Sequence, residues 1–561
     1  MMAETLPATQ YAVQLVGAGQ LRLNKEKAVD RPGPYQIVAR MEGVGLCFSD
    51  LKLLKQFSNH ARKSDILKGV DPAVLSELPS YKPGDAPTVP GHEAVCTIVA
   101  VGDKVTRYTL GQRVLVQTDY RWLRTAESNA AFGYNLEGGL QEYVLMDERV
   151  IVDPANGDDF LIPVPDHLSG AAVALVEPWA CVECSYITDE RNTLLPGGQL
   201  LIVADAGCDI EGVAESFSPD GKPAALALRV ADPAQLAQAR GLDLPVTEVA
   251  NLEDLVDEGY DDICYFGSSK ATLDILNDKL NTGAILNVIL AGKSIGTPVS
   301  VGVGRVHYGL TRWVGTVGTN AAESYKHIPE NGEFRDYDRA IVIGAGGPMG
   351  QMHTIRLVCA GKKDVSVTAT DFDDVRLRAL AAKTEELAQK LGVELKVINP
   401  KKQALEASYT YYAIMAPVGA LVEQAVTNSE DKTLINVFAG IPSPIKHDLD
   451  LDTYIKNRCF MFGTSGSRLL DMKIVLDKTI SGQLDTNCSV DAVSGMAGAI
   501  DGIRAVENRT MAGKIIVFPA LRELELTPLS ELPQKYPSVA EKLNNGIWTK
   551  EAEQELLKVA K

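Results

Sequence analysis

Four residues in the first third of the chain offer a thiolate, an imidazole and two carboxylates. Cys47 lies in Gly45-Leu46-Cys47-Phe48-Ser49-Asp50, His92 and Glu93 follow the proline-led approach Thr88-Val89-Pro90-Gly91, and Glu177 lies in Leu175-Val176-Glu177-Pro178. A His-Glu pair after a glycine is most often an ordinary loop. Joined by a cysteine and a further glutamate it becomes the ligand set of a catalytic zinc, with sulfur, nitrogen and oxygen donors and room for water, rather than that of a structural one. Cys181-Val182-Glu183-Cys184 comes close behind Glu177. In an apolar stretch these two cysteines read as small buried hydrophobes, with a redox or metal pair as the alternative.

Gly43-Val44-Gly45-Leu46-Cys47-Phe48-Ser49-Asp50, Gly91-His92-Glu93, Gly138-Gly139-Leu140-Gln141-Glu142-Tyr143 and Glu177-Pro178 together resemble the zinc-dependent medium-chain dehydrogenases/reductases, in the branch of polyol and sugar-alcohol dehydrogenases. The resemblance runs over the first 190 or so residues and a tail near 467–518. It implies that Cys47, His92 and Glu177 ligate zinc, with Glu93 as an exchanging or water-mediated ligand. It also implies that Ser49 relays the substrate's hydroxyl proton and that Asp50 accepts from the far nitrogen of His92, fixing its tautomer. Many relatives carry four cysteines for a second zinc in the lobe at 117–137; none stands here, so one catalytic zinc and no structural zinc is expected. Asp119, Arg121, Trp122 and Arg124 occupy that lobe, touching substrate, a neighbouring subunit or solvent.

Between Cys47 and His92 lie 44 residues, more than the family's pattern has. The extra segment, about 55–84, carries Lys55, His60, Arg62, Lys63 and Lys68 with few large apolar residues. It is either a solvated excursion or an active-site lid whose cations hold a phosphate or carboxylate of the substrate.

A second chemistry sits in the middle of the chain. The apolar strand Arg339-Ala340-Ile341-Val342-Ile343 runs into Gly344-Ala345-Gly346-Gly347-Pro348-Met349-Gly350, with a helix expected from about Gln351. Glycines there permit a tight turn and let backbone amides reach a pyrophosphate at the helix N-terminus. Asp371 comes 21 residues after Gly350, at the end of the next apolar strand, where a carboxylate binds adenosine ribose hydroxyls and repels a 2′-phosphate. NAD is therefore favoured over NADP, although Arg376 and Arg378 stand nearby. The segment 347–353 also resembles sugar-phosphate reductases similar to L-sorbose 1-phosphate reductase, and its His353 either lines the cofactor site or is a packed or capping histidine.

Around these motifs the chain is laid out as an α/β protein: a GroES-like β-barrel catalytic domain and two tandem Rossmann-like, doubly wound parallel-sheet domains. Residues 11–45 alternate apolar and polar in short runs broken by Gly and Pro, as in a small antiparallel barrel. An internal repeat follows. Leu201–Ala204 matches Ala340–Ile343 and Asp232 matches Asp371, both at an offset of 139, while Asn287 and Asn436 stand 149 apart in similar apolar runs. The boundaries expected are 1–195 for the zinc domain, completed by 467–520, then 196–330 and 335–466 for the two units, and 521–561 for a helical tail. The first unit has Ala204-Asp205-Ala206-Gly207-Cys208-Asp209 where the second has its glycine loop. Acidic side chains would face phosphates there, so this copy is expected to hold no dinucleotide and to lie edge to edge with the working copy, an intrachain pseudo-dimer that leaves the chain's own homo-oligomer state open.

Bulk properties bound the rest. At 561 residues, 45% hydrophobic and 23% charged, the chain exceeds one ordinary core. A net charge of −18 argues against nucleic acid or an acidic membrane surface as partner. The N-terminus lacks a charged region followed by an apolar one, no apolar run is long enough to span a bilayer, and nine scattered cysteines make no disulfide framework, so a cytoplasmic protein is expected. The function implied is hydride transfer between NAD and a secondary alcohol of a polyol or sugar, sugar phosphates and sugar acids included. A lyase or epimerase with tightly held, internally recycled NAD, and a non-catalytic assembly protein retaining metal, are the alternatives.

Overall fold

The structure is a computed structural model and describes residues 5–560. The chain divides into two compact units, one reaching Cys181 and resuming at Ser467, the other Val182–Gly466. The division falls inside the helix Val176–Tyr186, ahead of the expected boundary at 195, and the segment after 521 belongs to the first unit rather than standing apart.

The first unit is built on an eight-stranded mixed sheet. Its order is Leu161–Pro163, Arg113–Val116, Glu93–Val101, Gln36–Gly45, Lys514–Val517, Val490–Ser494, Thr527–Pro528, with Tyr143–Asp147 also on Gln36–Gly45. The strand Gln36–Gly45 is buried along almost its whole length, which suits its apolar sequence and its central place. Gly45 pairs with Glu93 on one side and with Ile516 on the other, so the returning chain is laid beside the strand that leads to Cys47. Gly45 is required by close approach: a Cβ there would stand 2.0 Å from Glu93 Oε2.

The 55–84 segment is a folded part of this unit. After the helix Phe48–Gln56 come turns at Phe57–Asn59 and Ala61–Lys63, the strand Ile66–Lys68 and the helix Pro72–Ser76. Ile66–Lys68 pairs antiparallel with Asp119–Thr125 of the lobe where relatives keep a second zinc. Lys63, expected at the surface, is fully buried; its ammonium donates to the carbonyls of Lys82 and Ala86 and so ties the segment's two ends together. Burial pushes its pKa down to about 8, with Asp85 opposing.

The C-terminal residues are similarly integrated. Trp548 is buried against Phe518, ring centroids 6.2 Å apart. Glu553, in the helix Lys550–Val559, accepts from the backbone N–H groups of Gly170 and Ala171 at 2.5 and 2.9 Å, capping the helix Gly170–Ala174.

The second unit contains two six-stranded parallel sheets of identical order. One runs Val246–Glu248, Ala225–Arg229, Gln199–Ala204, Tyr260–Phe266, Leu280–Ile289, Arg312–Thr316; the other runs Glu394–Ile398, Ser366–Thr370, Arg339–Ile343, Tyr409–Ile414, Ser429–Val437, Phe460–Phe462. In chain order each is 3-2-1-4-5-6, the doubly wound pattern whose ligand crevice lies at the carboxyl ends of the first and fourth strands. The strands paired by the sequence offsets occupy corresponding places. The two sheets meet through Val299–Val301, which pairs antiparallel with His447–Leu449, and through Tyr454, whose hydroxyl donates to the Trp313 carbonyl at 2.8 Å. One apolar cluster spans both.

The copies differ at their first crossover. The helix Pro348–Val358 follows Arg339–Ile343 directly, whereas only the short turn Ala214–Ser216 lies between Gln199–Ala204 and Ala225–Arg229. Among the described residues no helix is long and apolar enough to cross a membrane.

Candidate functional site

Cys47 stands at the N-cap of the helix Phe48–Gln56, and that helix start organises the site. Asp50, in its first turn, accepts the Cys47 N–H through Oδ2 at 3.1 Å and stands 3.0 Å from His92 Nδ1 through Oδ1. With Nδ1–H donated to the carboxylate, the Nε2 lone pair is left for a metal. Ser49 Oγ lies 3.0 Å from Cys47 Sγ and 3.1 Å from His92 Nε2. Burial alone would lower the His92 pKa, but the Asp50 carboxylate outweighs it and holds the imidazole well above its ordinary value.

Among the described residues, one group of potential ligand atoms lies within 4.8 Å of one another: those of Cys47, His92 and Glu93. The donor set of sulfur, nitrogen and oxygen suits zinc. Glu93 Oε2, buried with no hydrogen-bond partner, is a carboxylate oxygen free to act as a metal ligand. Glu177 stands beside this group but not in it; its Oε1 lies 3.8 Å from Cys181 Sγ one turn along the same helix. Burial pushes the Glu177 carboxyl up to about 7, with His92 opposing and Glu93 adding to the rise. Of the four expected ligands, Cys47, His92 and Glu93 are thus gathered within one ligand-sized group, with Glu177 next to it, and Glu93 also has a lysine partner.

That lysine is Lys514, which donates to Glu93 Oε1 at 2.5 Å in a fully buried pair. Lys514 is not among the expected site residues; the sole signal for it in the sequence is a charged residue entering the apolar run Ile515-Ile516-Val517. Tyr134 was missed altogether. It is buried, its hydroxyl bonds to Ser49, and its ring lies 5.7 Å from that of His92. The Gly138-Gly139-Leu140 motif has a positional role: its three N–H groups donate to the carbonyls of Val89, Gly91 and Pro90, securing the chain that carries His92. In the neighbouring lobe Asp119 is buried and paired with Arg62, while Arg121 donates to the Ser467 carbonyl.

In the second unit Gly347 caps the helix Pro348–Val358, and open space lies before it. The turn is fixed by Gly344 and Ala345, whose N–H groups donate to the Thr370 carbonyl at 2.9 and 2.8 Å. Gly350 packs against the strand end so closely that a Cβ would stand 2.2 Å from the Gly344 carbonyl oxygen. Asp371 Oδ2 accepts from Gly346 N–H at 3.0 Å, which brings the expected ribose carboxylate to the glycine loop. Pro348 and Met349 begin the helix, whose first N–H groups point into that opening. His353 is a packed residue: fully buried, bonded through Nδ1 to the Tyr186 hydroxyl at 2.8 Å, its pKa driven down to about 3 by burial.

The equivalent loop of the first copy is closed on itself. Asp205 Oδ2 accepts from the Tyr265 hydroxyl at 2.7 Å, and Gln235 Nε2 donates to the carbonyls of Asp205 and Cys208.

Comparison with known proteins agrees with this geometry. Residues 33–156 match the alcohol dehydrogenase GroES-like domain family. The chain is 26% identical to sorbitol dehydrogenase of Bombyx mori over 312 residues, 52% of this chain and 80% of that one. It is 25% identical to the uncharacterized protein YggP of Escherichia coli over 297 residues, 47% and 64%, and 26% identical to an alcohol dehydrogenase of Rhizobium meliloti over 249 residues, 42% and 61%. It thus spans a little under two thirds of the length of these last two relatives. Among solved structures, 2R,3R-butanediol dehydrogenase from Bacillus subtilis covers 91% of this chain and 100% of its own at 15% identity and a TM-score of 0.49.

Proposed function

We propose that this chain is a zinc-dependent oxidoreductase of the medium-chain dehydrogenase/reductase type that exchanges a hydride between NAD and a secondary alcohol of a polyol or sugar. The reading is supported by the match to the alcohol dehydrogenase GroES-like domain and by the alcohol and sorbitol dehydrogenase relatives. The observation that carries the reading is Ser49 Oγ, set between Cys47 Sγ and His92 Nε2 while Asp50 fixes the imidazole tautomer. Zinc, held by Cys47, His92 and Glu93 or Glu177, would act as a Lewis acid that lowers the pKa of the substrate hydroxyl. Ser49 takes the hydroxyl proton on Oγ as it gives up its own, moving the proton away from the reacting carbon. Lys514 balances the charge of Glu93 when the carboxylate is not needed as a ligand. The N–H groups of Gly347 and Met349 hold the pyrophosphate, Pro348 having none to offer, and Asp371 takes the adenosine ribose hydroxyls after releasing Gly346 N–H.

On the same reading the two parallel sheets are tandem Rossmann units, the second binding NAD. The first is a degenerate partner packed edge to edge inside the chain, supported by its missing crossover helix and self-closed loop. Nine free cysteines suit a reducing, cytoplasmic setting.

The test is NADH absorbance after mixing purified protein with NAD and a panel of sugar alcohols, sugar phosphates and sugar acids, with and without a zinc chelator. Chelator-sensitive NADH formation with one member is expected. Silence across the panel in protein that contains zinc and bound NAD would favour an internally recycled cofactor instead.

A further inference from the structure

We propose that the alcohol accepted at this site carries an anionic group, a phosphate ester or a carboxylate, and that Arg62 and His60 of the 55–84 segment hold it. The inference rests on the dehydrogenase reading above and adds the substrate class to it. Its basis is the Tyr134 ring. His92 lies against that ring with centroids 5.7 Å apart, the His60 ring at 5.1 Å, and the Arg62 guanidinium carbon 5.3 Å from its centroid. One buried aromatic side chain therefore has the metal-site imidazole, a cation and a second imidazole all within 5.7 Å of its ring centroid.

Both groups have donors to offer. Arg62 Nη1 is paired with Asp119 Oδ1 at 2.7 Å, and no hydrogen bond to its Nε or Nη2 occurs among the described residues; the side chain as a whole is 27% exposed. His60 Nδ1 accepts the backbone N–H of Arg62 at 3.2 Å, which puts the ring proton on Nε2, a donor without a partner among the described residues. Burial, with Arg62 and Lys52 nearby, holds the His60 pKa down to about 4, so Nε2–H is offered by a neutral ring.

Of the segment's other cations, Lys68 is exposed on the strand Ile66–Lys68, away from the Tyr134 ring contacts. Lys55 faces Glu507 and Lys63 is buried on backbone carbonyls. A guanidinium with half its planar fork directed away from its carboxylate partner matches two oxygens of a phosphate or carboxylate, which a neutral hydroxyl does not need.

The experiment uses the full-length, zinc-loaded protein and three probes of one carbon skeleton: sorbitol, sorbitol 6-phosphate and gluconate. Calorimetry gives the dissociation constant of each in wild type, Arg62→Ala and Arg62→Lys, and steady-state kinetics gives the ratio of kcat/KM for each anion to that for sorbitol. Wild type is expected to bind at least one anion more tightly than sorbitol, and the arm that does so names phosphate or carboxylate. Arg62→Ala should lower that preference about 10- to 100-fold, with Arg62→Lys between. Equal preference in wild type and Arg62→Ala, or a wild type that prefers sorbitol to both anions, overturns the proposal. Tight, Arg62-dependent binding without NADH formation would leave it standing while refuting the dehydrogenase reading. Should Arg62→Ala fail to fold because Asp119 is left buried and unpaired, the Arg62→Met/Asp119→Asn pair removes both charges and is held to the same criterion.

Discussion

Replacing Lys514 by methionine keeps its aliphatic stem and removes the one ammonium that faces Glu93. The two side chains are 5% and 0% exposed and meet at 2.5 Å, so the substitution strands a carboxylate in a buried site beside Glu177. Breaking a buried pair on one side costs about 3–5 kcal/mol, because the remaining charge keeps its desolvation penalty and loses its partner. In chelator-treated protein the urea midpoint of the first unit should fall by that equivalent, followed by tryptophan fluorescence, since Trp122, Trp179 and Trp548 lie in this unit. Zinc offers Glu93 another cation, so the deficit should shrink when metal is restored. Lys514→Met/Glu93→Gln removes both charges and should recover most of the loss. The pH dependence has a definite sign. Burial would lower the Lys514 pKa, but Glu93 raises it above the ordinary lysine value. Its contribution is complete below about pH 10.4 and is lost only as pH rises through the raised folded value, so wild type shows no lysine-linked change from about pH 6 to 9. A metal-free Lys514→Met protein within about 0.5 kcal/mol of wild type, a value usual for exposed sites, would refute the reasoning.

Glu553→Ala removes the cap from Gly170 and Ala171 and leaves two buried amides unpaired, which costs about 1–3 kcal/mol and should lower the melting temperature by about 3–8 °C; an unchanged melting curve would show the contact to be idle. Asp371→Ser should weaken NAD and relatively strengthen NADP in fluorescence titrations, shifting their affinity ratio about tenfold. Equal affinity for the two cofactors in wild type would dismiss that role. Calorimetry should count one NAD per chain, falling to none in Gly350→Ala, whose new Cβ collides with the Gly344 carbonyl; binding retained in that variant would mean that the first copy also takes a dinucleotide.

What could be read from the sequence follows from how locally each feature is encoded. Cys47, Ser49 and Asp50 lie within one helical turn, and His92 and Glu93 are adjacent, so their types and spacing already specified the chemistry that the structure brings together. The glycine loop and Asp371 are likewise joined by one strand–helix–strand unit, and the repeat was visible because buried parallel strands are nearly continuous apolar runs. Lys514, Tyr134 and Arg62 had no such signature. Lys514 meets Glu93 across 421 positions, brought there by a return strand whose register on Gln36–Gly45 no local pattern encodes. Arg62 stood in a stretch that read as either solvated or lid-like, because its apolar residues are sparse; the pairing of Ile66–Lys68 with Asp119–Thr125 and the burial of Lys63 give that stretch its fixed place. The same contrast explains why the zinc domain's chemistry was more legible than its selectivity. Ligands and proton relay must sit on rigid, short-range scaffolding to hold sub-ångström geometry, whereas groups that choose the substrate need only reach the mouth of the site, and here they arrive on an inserted segment held by long-range contacts.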